Sequence, residues 1–359
     1  MKTFYLKNKD EIVASVKFSD NEISAFEIFN ASLLPKGVKK ESFSKDFALW
    51  ISHRTSKWAS GSWQEGKSNA LLSLNDCYCV LSANDERKWS ELSLYSNEWD
   101  EDISAKHFLE HGFSLNCKAL NPSFCTDGAL PKCWIKESNK QYLLKCTLGM
   151  GNQARGEFLA SQVAKAFGLE CVEYELCKHL GKIACKCENF CSEKIGFVAI
   201  YRLLDKFKNY QEYAFKAREL IGSELFDDMI IFDVLVLNKD RHYGNFGFLV
   251  DNETNELLAP VPIFDSGYCA FRYSPIYHSL EFNELKLNAM YEENRTFGTL
   301  MGNAVLAFGK ERHIKMLENL FDFSFKGCEF ISKAELEEYE SFVRNNARNI
   351  IRVIERRNF

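Results

Sequence analysis

The chain has 359 residues, 46% of them apolar and 26% charged, and a net charge of -5; that length buries a sizeable core without disulfide or metal staples. The acidic balance supplies no global attraction to nucleic acid or to an anionic membrane. The N-terminus carries no apolar signal run and no stretch approaches the roughly 18 apolar residues of a membrane helix, so a cytoplasmic protein without membrane insertion is expected.

In chain order, Lys2–Val16 alternates apolar and charged residues, with Asn8–Asp10 as a hairpin turn. Asp46–Arg54 reads as a helix carrying Phe47, Leu49, Trp50 and Ile51. A short apolar stretch, Leu71–Val80, precedes the acidic, aromatic segment Trp89–Trp99. Nothing here has the spacing of a catalytic constellation. Residues 1–110 therefore read as an accessory cap or docking module.

From Asn121 the texture changes. A turn-rich loop, Asn121–Lys132, contains Gly128 and leads into a strand, a Ser138–Lys140 turn and a second strand, Gln141–Cys146, with Lys145 near its end. Gly156–Phe167 places Phe158, Leu159, Val163, Ala166 and Phe167 on a helical stripe, with Glu157 in its first turn. Cys171–Leu176 and Lys182–Phe190 read as strands. Beyond Glu193 the chain reads as mostly helical, interrupted by the mixed segment Ile230–Phe271. A small sheet with one helix, followed by a helical lobe, is an α+β, two-lobed arrangement with divisions at 111–191 and 192–359.

The 13 cysteines and 30 phenylalanines are scattered. Cys77–Cys79 and Cys185–Cys187, with Cys191 beyond, lack the C-x2-C repeat of structural zinc. Alternation over Lys182–Phe190 puts its cysteines on one strand face as small hydrophobes, in keeping with a reducing compartment.

The chemistry is concentrated in Asn238-Lys-Asp240-Arg241-His242-Tyr-Gly-Asn245-Phe-Gly247 and, twenty residues after Asn245, Phe264-Asp265-Ser266-Gly267. An ATP-using site needs oxygen ligands for Mg2+ and a carboxylate to orient the attacking hydroxyl. Protein kinases supply them as an Asp with an Asn five residues later, then a second Asp just before a Gly. Asp240, Asn245 and Asp265 have that pattern. The apolar run Met229–Leu237 delivers the cluster to the edge of a core, and Gly244 and Gly247 permit tight turns around Asn245. Phe246–Val250, followed by Asp251–Asn255, reads as a hairpin returning the chain toward Asp265.

These strings, with Ala259-Pro-Val-Pro-Ile-Phe-Asp-Ser-Gly267 and the loop Thr126–Lys132, resemble the HipA-like kinase family, more weakly over the whole of Asn121–Phe359. The resemblance implies a bilobal protein-kinase-like fold with a small N-lobe sheet, a helical C-lobe and an N-terminal accessory region. It implies ATP- and Mg2+-dependent transfer to Ser or Thr hydroxyls, with Tyr as an alternative, and autophosphorylation. Asp240 would be the catalytic carboxylate, and Asn245 and Asp265 the metal ligands. Lys145 would contact the phosphates, with Glu157 as its ion-pair partner. Gly128 and Lys132 would belong to the phosphate loop, and the strand end at Glu188-Asn189-Phe190 would be the adenine hinge. In the toxin members that loop carries a serine that is phosphorylated; Cys125 stands there, with Ser123 and Thr126 as the nearest hydroxyls, which argues against inactivation by loop phosphorylation. A protein substrate and an antitoxin-like partner are implied, with no direct nucleic-acid contact. A secreted member of the family keeps export without a conventional signal open.

No Walker loop or G-x-G-x-x-G is present. A phosphoinositide-kinase-like lipid kinase shares the D-R-x-x-x-N and D-x-G arrangement. It expects a basic or apolar loop after Gly267, yet Phe271–Leu280 holds only Arg272 besides His278. A non-catalytic nucleotide-binding partner protein is the third alternative, although every metal-ligand position is filled. Tyr273, Ser274 and Tyr277 fall where kinases carry an activation segment. The stripe Arg344, Arg348, Arg352 and Arg356 beside Val343, Ala347, Ile350 and Ile354 reads as a solvated helix face.

Overall fold

The computed structural model describes residues 2–19, 22–54, 71–110, 120–126, 130–147, 152–205, 210–274, 291–297 and 299–357. The chain divides into two compact units. One comprises Met1–Lys145, Glu188–Leu203 and Phe248–Val261; the other comprises Cys146–Cys187, Leu204–Gly247 and Pro262–Phe359.

In the first unit, β1 (Lys2–Asn8), β2 (Glu11–Ser19), β3 (Glu22–Ile28) and β4 (Tyr78–Ser82) form an antiparallel sheet in the order β3-β2-β1-β4. The expected β1–β2 hairpin turns through Lys9 at φ 54°. Helix α1 (Phe43–Ser52) lays Phe43, Phe47, Trp50 and Ile51 onto one core with Phe4, Leu6, Val13 and Val16. It starts ahead of the expected Asp46 because Phe43 extends the apolar stripe back by a turn, stacking between Phe26 and Phe47 at 4.7 and 5.2 Å. Two short helices follow, α2 (Trp89–Leu92) and α3 (Glu101–Phe108). Strands β5 (Lys132–Glu137) and β6 (Lys140–Cys146) make a hairpin whose two turn residues, Ser138 and Asn139, have φ of 50° and 65°. A two-residue loop that matches strand twist requires positive φ at both positions.

The second unit contributes helix α4 (Gln153–Phe167), capped by the Asn152 side chain accepting from the Arg155 N–H and ended by Gly168 at φ 97°. It begins earlier than the expected Gly156, so Glu157 lies beyond its first turn and the helix dipole does not account for it. Strand β7 (Glu175–His179) pairs with β8 (Lys182–Glu188). The strand expected at Cys171–Leu176 is displaced because its first residues are taken elsewhere. Cys171 bridges Ile263 in parallel, and the Val172 N–H donates to the Ile263 carbonyl at 2.8 Å. The β8 cysteines 185 and 187 are buried, as the alternation anticipates.

Beyond Glu193 the helical reading missed β9 (Ile195–Ala199), which belongs to the first unit and joins β10 (Gly247–Asp251) and β11 (Leu257–Pro260) in the order β11-β10-β9. The hairpin expected after Phe246 is the β10–β11 pair. What makes β9 a strand is tertiary: a Cβ on Gly196 would fall 2.5 Å from the Asn252 side chain and 2.7 Å from the Asn75 carbonyl. Helix α5 (Tyr210–Ile221) precedes α6 (Ser223–Val236), whose Met229–Val236 run is buried on every side, as for a core helix. The C-terminal helix Lys333–Arg357 caps α6 from the side: buried Asn346 donates through Nδ2 to the Val234 and Leu235 carbonyls at 3.0 and 2.8 Å. Both carbonyls lie in the last turn of the helix; that of Val234 also accepts from the Leu237 N–H at 3.2 Å. Along the same helix Val343, Ala347, Ile350 and Ile354 are buried, Arg344 donates to the Phe323 carbonyl, and Arg348 lies over the Phe321 ring. Among the described residues no helix is long and apolar enough to cross a membrane.

Candidate active site

Helix α6 stops at Leu237, which adopts the left-handed conformation (φ 54°), and releases the chain into Asn238-Lys239-Asp240. Asn238 is fully buried; its Nδ2 donates to Asp233 Oδ1 at 2.9 Å and its Oδ1 accepts from the Asp240 N–H at 3.2 Å. This Asx-type turn presents Asp240 as an exposed side chain on a rigid base.

Arg241 turns the other way. Its Nε and Nη2 reach the Asp233 carboxylate at 3.1 Å, Nη1 donates to the Asn245 and Phe264 carbonyls at 3.3 and 2.6 Å, and Nη2 also donates to Ser266 Oγ at 2.8 Å. Neither side chain of the Arg241–Asp233 pair has exposed surface. Burial opposes the guanidinium charge and the Asp233 carboxylate outweighs it, so the pKa of Arg241 is raised. One buried cation thus holds together the segments bearing Asn245 and Asp265. Asn245, itself buried, donates through Nδ2 to the Asp240 carbonyl at 3.2 Å.

Asp265 has φ 57°, an uncommon state for a residue with a Cβ. Such a conformation persists where its neighbours over-determine it. Here the preceding carbonyl is held by Arg241, the Asp265 N–H points at the Tyr174 hydroxyl at 3.4 Å, and the Ser266 N–H donates to Glu157 Oε2 at 2.8 Å. Gly156 and Gly267 let helix α4 approach this turn: a Cβ on Gly156 would sit 2.3 Å from the Gly267 carbonyl oxygen. Glu157, 3% exposed, therefore fixes the Asp265 turn from the helix side. The carboxyl of Asp240 is pushed above the usual carboxylate range by partial burial and by the Asp265 carboxylate, with His242, Arg241 and Arg272 opposing. The Asp240 and Asp265 carboxylates are thus close enough to repel, and the Asn245 side chain is bonded to the Asp240 backbone. Among the described residues no group of three or more His, Cys, Asp or Glu gathers as metal ligands.

In the first unit, Lys132 and Lys145 are direct cross-strand partners in the β5–β6 hairpin and are 8% and 7% exposed. At the end of β8, the Asn189 N–H donates to the Gln141 carbonyl at 2.8 Å, exposed Glu188 pairs with Lys140, and half-buried Phe190 packs edge-on against Phe197. Cys125 packs against the N-terminal core and burial pushes its thiol up to about 12. Ser123 is fully buried, and Thr126 Oγ1 donates to the Pro122 carbonyl while accepting from Trp134. Gly128 and Tyr277 lie outside the described residues.

Arg241, Asp233, Ser266 and Tyr174 received no role from sequence. The available signal was Asp233 itself: a carboxylate inside the otherwise apolar Met229–Leu237 run is buried only when paired, and Lys239 and Arg241 were the cations close by in the chain.

A lysine-bearing hairpin, a core helix delivering an Asp–Asn loop, and an Asp-Ser-Gly turn braced by a neighbouring helix define a mixed α+β fold of the protein-kinase-like class. The chain belongs to the HipA-like C-terminal domain family, whose model matches residues 124–322. It is similar to the serine/threonine-protein kinase CtkA of Helicobacter pylori strain J99, 29% identical over 135 residues that span 33% of this chain and 41% of the relative. The chain thus matches less than half the length of that curated relative. Among solved structures, a chain of the Shewanella oneidensis MR-1 HipA, HipB and operator DNA complex aligns over 99% of both chains, with a TM-score of 0.57 and 11% identity, which shows the shared fold. The H. pylori proinflammatory kinase CtkA structure covers 63% of this chain and 93% of its own, with a TM-score of 0.47 and 22% identity.

Proposed function

We propose that this protein is an ATP- and Mg2+-dependent protein kinase that transfers the γ-phosphoryl group to Ser or Thr hydroxyls. The observation that carries the reading is the buried Arg241, which ties the backbone of Asn245 to that of Phe264 and so brings the Asn245 and Asp265 segments together. Asp240, exposed beside them, accepts and orients the acceptor hydroxyl. Asn245 and Asp265 are the oxygen ligands that would hold Mg2+, which when bound neutralises charge on the phosphate oxygens. Lys132 and Lys145 supply phosphate-binding charge, and the backbone at Glu188–Phe190 supplies hydrogen bonds to adenine. Glu157 acts on the Asp265 turn through the Ser266 N–H. Gly128 keeps its assignment to the phosphate loop on sequence grounds alone.

Residues 1–110 serve as an accessory module, and an antitoxin-like protein is the partner suggested by the HipA–HipB neighbour. Autophosphorylation falls elsewhere than at position 125, where a thiol stands and the neighbouring Ser123 is buried. The buried, free thiols support residence in a reducing compartment.

The test is incubation of the full chain with labelled Mg-ATP and a protein acceptor panel, followed by phosphosite mapping. Asp240→Ala is expected to abolish transfer while nucleotide still binds, read by a fluorescent ATP analogue. Wild-type turnover in Asp240→Ala overturns the assignment.

A further inference from the structure

A little beyond Asp265, Arg272 closes a short 3-10 turn, Ala270–Arg272. Its guanidinium carbon lies 3.7 Å from the centroid of the Tyr268 ring and 4.5 Å from that of Tyr273, and Nη2 donates to the Tyr273 hydroxyl at 2.5 Å. The remaining nitrogens, Nε and Nη1, are shielded from water and donate to no acceptor among the described residues. The turn is anchored from several directions. The Asn152 N–H donates to the Arg272 carbonyl at 2.6 Å, and Arg155 donates to the Phe271 and Arg272 carbonyls. The Tyr339 hydroxyl is within hydrogen-bond distance of the Phe271 and Tyr273 carbonyls. Tyr268 is tied in turn to the loop of the proposed active site, because its carbonyl accepts from the Lys239 N–H at 3.2 Å, one residue before Asp240.

A guanidinium keeps its charge at any physiological pH and carries five N–H donors and no acceptor. Held against two aromatic faces it retains favourable electrostatics, yet donors withdrawn from water without an acceptor are unfavourable. A cation braced in that state suits an anion that arrives from outside. Its attachment through Tyr268 is to the Asp240 side of the site, where the acceptor hydroxyl is oriented. Nucleotide phosphates are assigned to other cations, Lys132 and Lys145. Tyr268, exposed, leaves an open aromatic surface beside the guanidinium for an arriving chain.

We propose that Arg272 binds an anionic side chain, carboxylate or phosphate, that flanks the target hydroxyl on the protein acceptor, so that the enzyme selects acidic or already phosphorylated segments. The inference rests on the phosphotransfer reading above and adds a substrate class to it.

The experiment uses the full chain, Mg-ATP and three serine peptides identical except for one flanking residue: Glu, phosphoserine or Gln. For the wild type, kcat/KM is expected to be about tenfold or more higher for an anionic flank than for Gln, the scale of one charge-assisted hydrogen bond. Arg272→Gln should bring that ratio close to unity, and Arg272→Lys should restore part of it. A wild type that does not discriminate, or an equal loss on all three peptides in Arg272→Gln, overturns the proposal; the second result would place the guanidinium on the transferred phosphoryl group. Anisotropy of a labelled phosphoserine peptide, measured on the Asp240→Ala chain with and without Arg272→Gln, separates the two readings. Binding at least about tenfold weaker without Arg272, alongside a wild type that transfers nothing, sustains the anion site and sinks the kinase reading. Equal binding to both variants sinks the anion site whatever the kinase activity.

Discussion

Each unit of the molecule is organised around a buried arginine, and the two differ in what the arginine holds. Arg54, in the first unit, donates to the Leu71 carbonyl at 2.7 Å, to the Tyr78 carbonyl at 3.3 Å and to both carboxylate oxygens of Asp76, with Trp50 beneath its guanidinium. Everything it touches is scaffold. Arg241 likewise holds one carboxylate and two carbonyls, but its carboxylate is fully buried where Asp76 is partly open, and the carbonyls belong to Asn245 and Phe264. Its cluster ends in two acidic side chains, Asp240 and Asp265, that stay partly open to solvent and raise the energy of each other's charge. The same interaction closes a core in one case and assembles groups that repel in the other. Perturbed carboxylates of this kind, pushed toward one another by the fold, are candidates for chemistry.

The comparison breaks first at the carboxylates. Asp265→Asn should lower kcat by about 10²-fold or more, the scale of removing one electrostatic group from a preorganised site, with the thermal midpoint little changed. Unchanged turnover in a labelled-ATP assay would remove Asp265 from the site. Next come the hubs themselves. Arg241→Ala leaves Asp233 buried and uncompensated, and should destabilise the fold by about 3–5 kcal/mol in denaturant titration. Arg54→Ala should destabilise on a similar scale of about 3–5 kcal/mol, yet its folded fraction should retain the wild-type KM for ATP. If both variants changed KM alike, the distinction between scaffold and site would be lost.

A smaller effect tests the support of the loop that carries Asp240. Asn346→Ala removes the side-chain donor to the Leu235 carbonyl and the second donor to that of Val234 at the end of α6, and should cost about 1–3 kcal/mol by chemical denaturation. The smallest concerns pH. Asp240 must be ionised to accept a proton, and its pKa is raised, so transfer should fall with decreasing pH at a value above the ordinary carboxylate range. His242 counters that elevation; His242→Gln should therefore move the acid limb of kcat/KM to higher pH. A shift in the opposite direction would mean that Asp240 does not set the limb.

Much of this was legible in the residues. The Phe47, Trp50 and Ile51 stripe, the Asn8–Asp10 turn and the hairpin after Phe246 are local signals whose periods or turn chemistry survive without tertiary context, and the Asp240, Asn245, Asp265 spacing marked a candidate site. Glu157 shows where legibility stopped. The helix-terminus reading fails because the helix begins at Gln153, and the hydrogen bond to the Ser266 N–H, which depends on Gly156 and Gly267 allowing two backbones to approach, has no signature in the local sequence.

The sequence by itself determined which groups could do chemistry: two carboxylates and an amide at kinase-like spacing, one lysine near a strand end and another closing a turn-rich loop, and an apolar run to carry the acidic loop. The tertiary structure decided which of them are held together, since Arg241, β9 and the displaced strand at Cys171 all answer to partners distant along the chain. The physical reason is that turns and amphipathic stripes are set by neighbouring residues. The fate of a buried charge or a missing Cβ is settled only by what folding brings against it.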